Sequence, residues 1–307
     1  MNLKFDKIRI LLSVFLLHGT WYLHGQGCSD AGACSIGSMD EINKEIKLPR
    51  FKISYDQNVS LGEKFTFISN TSLIVEHRFT KSTSFVARVP FILTSGNLGN
   101  TTGIGDVLVS FIQQIHKGQH SKIGLLLGGK LRTNSSDFKF MNDPLPMAYQ
   151  TSLGTYDIIG GIQYLYKSWD FYIAYQHPFG RNNNQYLHPE DETDEKKLYY
   201  ESAFLKRGDD VALRIQKTFL LKNDQSLHPG ILPIYRLQKS EIMRNDQPEV
   251  LSGSNGLTFN LFLTYTKKVR QNSIISLTAA FPVIDKDYRA DGLTRNLIIS
   301  FRITNFW

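Results

Sequence analysis

From residue 49 to the C-terminus, apolar and polar side chains alternate one by one in run after run. The last run is typical: Leu297, Ile299, Phe301 and Ile303 are apolar, with Ser300, Arg302 and Thr304 between them. A strand turns successive side chains to opposite faces, so this period of two predicts one apolar and one polar face. The same pattern predicts twelve strands, at 49–57, 65–79, 83–93, 105–116, 121–132, 155–167, 169–178, 207–221, 226–239, 256–267, 271–283 and 294–307. The connections alternate in length. Those at 80–82, 117–120, 168, 222–225 and 268–270 are short, and those at 94–104, 133–154, 179–206, 240–255 and 284–293 are long; the first, after Gln57, is shorter. Short turns at one end, long loops at the other and an even strand count are the plan of an outer-membrane barrel. The expected fold is therefore all-β, a transmembrane antiparallel up-and-down barrel of about 12 strands, with both termini on the short-turn, periplasmic side.

The alternation assigns faces. Leu73, Val75, Phe85, Val89, Phe91, Phe111, Leu125, Leu127, Ile162, Phe171, Ile173, Leu263 and Leu277 are expected to face lipid, with Tyr55, Tyr156, Tyr166, Trp169, Phe281 and Trp307 near strand ends as interfacial girdles. Inward go Glu76, Arg78, Arg88, Lys130, Arg132, Asp157, Gln163, Asp170, Gln176, Arg214, Gln216, Arg236, Arg302 and Thr304. A charge on the lipid face costs about 2–4 kcal/mol at midplane, which fixes their side. Lys217 breaks the rule, and a bulge or a place near the periplasmic rim is expected for it.

The N-terminus carries a second expectation. Lys4, Lys7 and Arg9 flank the apolar run 8–17, and the small Gly25 and Gly27 follow. A basic start, a short apolar core and small residues predict a secretory signal over 1–27, too short to span as a helix. Residues 28–48 would then be a periplasmic tether or a plug, and 49–307 the barrel. The two cysteines, Cys28 and Cys34, fit a small disulfide loop in an oxidising periplasm. Lipidation of Cys28 is the alternative, although His24-Gly25-Gln26-Gly27 lacks an upstream aliphatic residue.

The closing strand, with Phe301, Ile303 and the terminal Trp307, resembles the C-terminal signal of bacterial outer-membrane barrels, which the barrel assembly machinery reads; Asn305 departs from that pattern. A second resemblance rests on Arg88-Val89-Pro90-Phe91, a loop, and Gly103-Ile104-Gly105-Asp106-Val107 opening the next strand. This resembles the outer-membrane family linked to the phenol meta-cleavage pathway, grouped with channels for long-chain fatty acids and aromatic hydrocarbons. The resemblance implies passive uptake of small, often hydrophobic, solutes, with a lateral opening in the wall. Proline cannot donate to the ladder, so Pro90, Pro178 and Pro282, each ending a rising strand, are the candidate sites of that opening.

Charge changes this picture in one respect. The net charge is +7, yet basic residues are scattered singly along strands, which excludes a nucleic-acid surface. Arg78, Arg88, Lys130, Arg132, Arg214, Arg236 and Arg302, set against Glu76 and Asp157, predict either a positive pore for anionic or polar solutes or a lumen filled by paired charges. The acidic run Glu190 to Glu195 reads as a solvated loop, or as a cation bridge to lipopolysaccharide. The histidines show no metal-ligand spacing, no cofactor motif occurs, and no serine sits in a catalytic motif. The expected protein is not an enzyme but an outer-membrane channel. The alternatives are a structural or interaction barrel with working loops, and a lipid-modifying enzyme.

Overall fold

The computed structural model describes residues 50–189, 195–292 and 295–307, with the side chain of residue 63 left aside. The expected signal, the tether or plug, and both cysteines lie outside these residues, as do the acidic positions 190–194.

Twelve strands form the wall: β1 (Phe51–Leu61), β2 (Phe67–Arg78), β3 (Thr83–Gly96), β4 (Val107–Lys117), β5 (Ser121–Leu131), β6 (Tyr156–Tyr166), β7 (Trp169–Phe179), β8 (Asp210–Lys217), β9 (Gln225–Arg236), β10 (Gly256–Arg270), β11 (Ser273–Ile284) and β12 (Leu297–Phe306). Each pairs antiparallel with its sequence neighbours, and β1 pairs with β12 through Lys52↔Phe306 to Leu61↔Leu297, which closes the barrel. Closure removes every free sheet edge, the condition for a strand protein to sit in lipid. Both described chain ends lie at the short-turn end, where Arg50 N and Trp307 N each donate to the other strand's carbonyl oxygens.

The lipid-facing assignments hold: Leu127 is 60% exposed, Phe111 52% and Leu73 51%, while their even-numbered neighbours point inward. Lys217 pairs across from Trp169, the first residue of β7, and sits over its ring at 5.0 Å, so it lies at the turn-end rim where its ammonium meets an aromatic girdle.

A bulge carries one structural consequence of the Gly-Ile-Gly-Asp motif. Gly99–Ile104 pairs with upper β3 in the register Phe91↔Ile104, while β4 pairs in the register Arg88↔Leu108, one residue out of step. The extra residue falls at Gly105–Asp106, opposite Pro90, whose carbonyl accepts from Gly105 N at 2.8 Å. A bulge re-aims the side chains that follow it. Here it turns Asp106 inward, where it is buried. A Cβ at Gly105 would sit 2.7 Å from Ile92 Cδ1 and 3.1 Å from the Thr151 carbonyl oxygen, so only glycine fits.

The loops at the other end fold into the barrel mouth. Met147, Leu153, Leu205, Ile242, Leu251 and Ala290, from four different loops, form one buried cluster; Leu145, Ala148, Tyr149, Tyr186 and Tyr199 form another. Buried loops must satisfy their own backbone groups. Asn182 and Asn184 do so: Asn182 Oδ1 accepts from the amides of Asn184 and Leu205, and Asn184 Nδ2 donates to the carbonyls of Ser136 and Leu145 at 2.9 Å. Alternation along strands signals a wall; it says nothing of a second core made by loops.

Candidate functional site

The lumen has two unlike walls. Val86, Leu108, Ile112, Leu126, Ile159, Tyr172, Ala174, Ala212, Leu232 and Ile234, all inward residues of β3 to β9, pack into one apolar cluster. Facing them, β10 to β12 and β1 present hydroxyls. Thr264 bonds Thr278 at 2.9 Å, Thr266 bonds Ser276 at 3.3 Å, and Ser54 bonds Thr304 at 2.8 Å. These hydroxyl residues are short and mostly half-buried, so open space in the lumen lies along their side.

Above the apolar cluster, towards the loops, runs a chain of ion pairs of alternating sign. Asp106 meets Lys130 at 3.4 Å, and Lys130 meets Asp157 at 3.0 Å. Asp157 meets Arg207 at 3.5 Å, and Arg207 meets Asp210 at 3.6 Å. Asp210 takes two bonds of 2.9 Å from Arg236, through Nε and Nη2. Arg236 Nη1 reaches Asp291 at 2.8 Å, and Asp291 faces Lys286 at 4.0 Å. Every side chain in the series is at most 7% exposed. Four cations and four carboxylates alternate, so the series is neutral as a whole. Buried charges persist only when paired and hydrogen-bonded. A second group joins β12, β1 and β3: Asp56 accepts from Arg302 at 3.0 Å, from Arg88 at 3.5 Å and from Ser300 at 2.7 Å.

Of the two arrangements the sequence allows, a positive pore or paired charges, the side chains here form pairs. The predicted cations Arg88, Lys130, Arg236 and Arg302 do point inward, and Asp157 joins Lys130. Four carboxylates that the sequence reading missed, Asp56, Asp106, Asp210 and Asp291, neutralise them. Asp291 was hidden by its place in a loop, whereas Asp56, Asp106 and Asp210 stand at inward positions of the expected strands. Arg214 pairs with Asp170 at 3.1 Å nearer the turn end. Glu76 holds Lys52 at 3.4 Å and Arg78 at 3.7 Å at the turn-end rim. Arg132 does not line the lumen: it is exposed at the loop-end rim, its guanidinium 5.0 Å from the ring centroid of the outward Tyr156.

The loop charges shift as burial dictates. Burial and the neighbouring Arg236 push the Lys286 ammonium down to about 8. Burial acts to raise the Asp291 carboxyl, but Arg236 and Lys286 outweigh it and hold the group below the usual carboxylate range.

A cavity of about 40 Å³ lies beneath the loops, bounded by Arg88, Pro90, Ile92, Asp106, Lys130 and Leu153, with Asp291, Gly292 and Arg295 from the loop that joins β11 to β12. That is room for on the order of three waters. Pro90, Pro178 and Pro282 are all buried on the inner face. Each stands two residues past the last pair to the following strand: Arg88↔Leu108, Gln176↔Asp210 and Ala280↔Ile298. Two further prolines, absent from the sequence reading, mark a break within the wall. The β8–β9 ladder lacks pairs at 213–214 and at 217–218, opposite Pro233 and Pro229, which have no N–H to give.

No protein-family model matches the sequence, and no curated protein matches it. Among solved structures, an outer-membrane channel from Pseudomonas putida F1 superposes with a TM-score of 0.58 at 11% identity, covering 89% of this chain and all of that one. The NanC porin gives 0.46 at 11% identity over 84% of this chain and 99% of its own. The monoaromatic hydrocarbon channel CymD gives 0.44 at 8% identity over 92% and 98%. The first likeness establishes the fold: a twelve-strand barrel of the outer-membrane channel type.

Proposed function

We propose that the protein is a passive outer-membrane channel for small amphipathic solutes, with its termini and short turns periplasmic and its long loops outside. The observation that carries this is the two-faced lumen, one wall apolar and the other hydroxylated, beneath loops that pack together at one end. A solute with an apolar body and a polar end would pass with its body against Ile74 and Phe262, which edge the apolar cluster, and its polar end on the Thr264–Thr278 side. The net-neutral ionic chain argues against selection of anions by bulk charge. The cavity abuts Pro90 and the bulge opposite it, which supports a lateral exit into the wall there. In this reading residues 1–27 are the signal, Cys28 and Cys34 form a disulfide, Phe301, Ile303 and Trp307 engage the assembly machinery, and lipid and lipopolysaccharide surround the barrel.

Liposomes carrying the purified protein test the reading. Entry of small phenols or aliphatic alcohols is expected to exceed that of sugars of equal size. No entry of either class, with the barrel folded, would overturn it. A second reading has one observation in its favour: the apolar cluster and the paired charges pack the lumen as a core would. A structural barrel whose loops do the work would show no flux for any solute, while its loops still bind a partner at the cell surface.

A further inference from the structure

We propose that the segment 285–292 is a gate over the lumen cavity, and that the Asp291–Arg236 contact is the latch that holds it shut. The term gate rests on the channel reading; the latch itself does not.

Arg236 sits on β9 inside the barrel, and its guanidinium is already oriented by the wall. Nε and Nη2 grip both oxygens of Asp210 on β8, each at 2.9 Å. A bidentate grip of this kind fixes the fork in plane. The remaining arm, Nη1, points away from β8 and meets the Asp291 carboxylate at 2.8 Å. The loop carboxylate therefore docks on a receptor that the wall has built without it. Asp291 is wholly buried there, so its charge has no water to fall back on.

The rest of the segment packs on neighbouring loops, with Arg289 Nη2 donating to Tyr200 Oη at 3.0 Å, Tyr200 Oη donating to the Asp287 carbonyl at 3.0 Å, and Ala290 in the buried loop cluster. Gly292 has φ +63°, and a Cβ on it would collide with the backbone of Met147 and Ala148. The segment therefore lies flat against the neighbouring loop that caps the cavity. Arg295 Nη1 donates to the Gly292 carbonyl at 2.8 Å. Asp291, Gly292 and Arg295 line the same cavity as Thr151 and Leu153. Displacing the segment uncovers the cavity directly. The barrel would remain, because Arg236 keeps its pair with Asp210 when Asp291 leaves. The other wall pairs near the latch, Asp157–Arg207 and Arg207–Asp210, do not involve the segment.

A thiol placed under the segment reports on it. Thr151→Cys is introduced into the full-length protein in lipid vesicles, and its labelling by a water-soluble maleimide is timed. The same chain without this thiol is the blank for Cys28 and Cys34. Adding Asp291→Asn is expected to raise the labelling rate about tenfold or more, since a buried pair has been broken. Asp291→Glu should bring the rate back toward that of the parent. Arg214→Gln, which breaks the buried pair with Asp170 elsewhere in the lumen, should leave it unchanged. Heat-dependent gel mobility confirms a folded barrel in each case. An unchanged rate in Asp291→Asn, an equal rise in Arg214→Gln, or failure of Asp291→Asn to fold at all overturns the latch. If labelling rises and no variant admits solute, the latch stands and the channel reading falls.

Discussion

Asp157 stands between two cations of the alternating chain, and replacing it measures what the chain is worth. Its carboxylate accepts from Thr155 Oγ1 at 2.7 Å and from Gln176 Nε2 at 2.5 Å, and it faces Lys130 and Arg207. Asp157→Asn keeps the shape and most of the hydrogen bonding but removes the charge. Lys130 is left with Asp106 at 3.4 Å, and Arg207 with Asp210 at 3.6 Å. Two buried cations then share carboxylates that already serve others. Breaking a buried pair from one side costs about 3–5 kcal/mol, because the orphaned charge stays desolvated. Asp157→Asn should therefore lower the folding free energy by about that amount, read as a shift of denaturant midpoint in vesicles at constant slope. Adding Lys130→Met restores neutrality and should recover about half of the loss or more. A single variant within about 1 kcal/mol of the parent would refute the reasoning. So would a double variant less stable than the single, since the penalty would then not be one of unbalanced charge.

Four other outcomes are expected. Gly105→Val should destabilise by about 1–3 kcal/mol in the same denaturation assay, since its Cβ meets Ile92 and a backbone oxygen at the bulge. Leu127→Arg, on the lipid face, should cost about 2–4 kcal/mol, whereas Thr278→Lys on the hydroxyl wall should leave the midpoint within about 1 kcal/mol. Pro233→Val should return a donor to the β8–β9 ladder and add about 0.5–1.5 kcal/mol, seen as slower amide exchange at Leu213 and Arg214. For Lys286 the folded value is about 8 against an ordinary 10.5. Between those values the unfolded chain binds more protons than the folded one, so protection of the amides of segment 285–292, corrected for intrinsic exchange, should rise with pH. Arg236, Asp210, Asp285 and Asp291 face this ammonium. Lys286→Gln should flatten the slope.

The wall was legible because lipid leaves no choice. A residue such as Phe111 or Leu127 must face out, its neighbours must then face in, and the period of two propagates the assignment along the strand. Closure was legible for the same reason: a barrel with both ends on the short-turn side brings its first strand against its last, and Tyr55 pairs with Ile303. What failed was everything that depends on tertiary meeting. Whether Lys130 and Arg236 stood free or paired was left open, since alternation places a side chain inward without naming its partner on another strand or loop. Arg132 lies one residue beyond the end of β5, so the rule of alternation no longer governs it. Pro229 and Pro233 were visible in the sequence, but their effect on the β8 seam needs the partner strand.

The alternating chain also imposes a timetable on assembly. Lys130, Asp157, Asp210 and Arg236 arrive on wall strands, while Arg207, Lys286 and Asp291 arrive on loops. A barrel that closes before its loops dock already holds Lys130 with Asp157 and Arg236 with Asp210, but in a flooded interior. Docking of the loops then expels that water, one pair at a time. Drying of the mouth is thus the final act of folding, and the wall must be complete before it can begin.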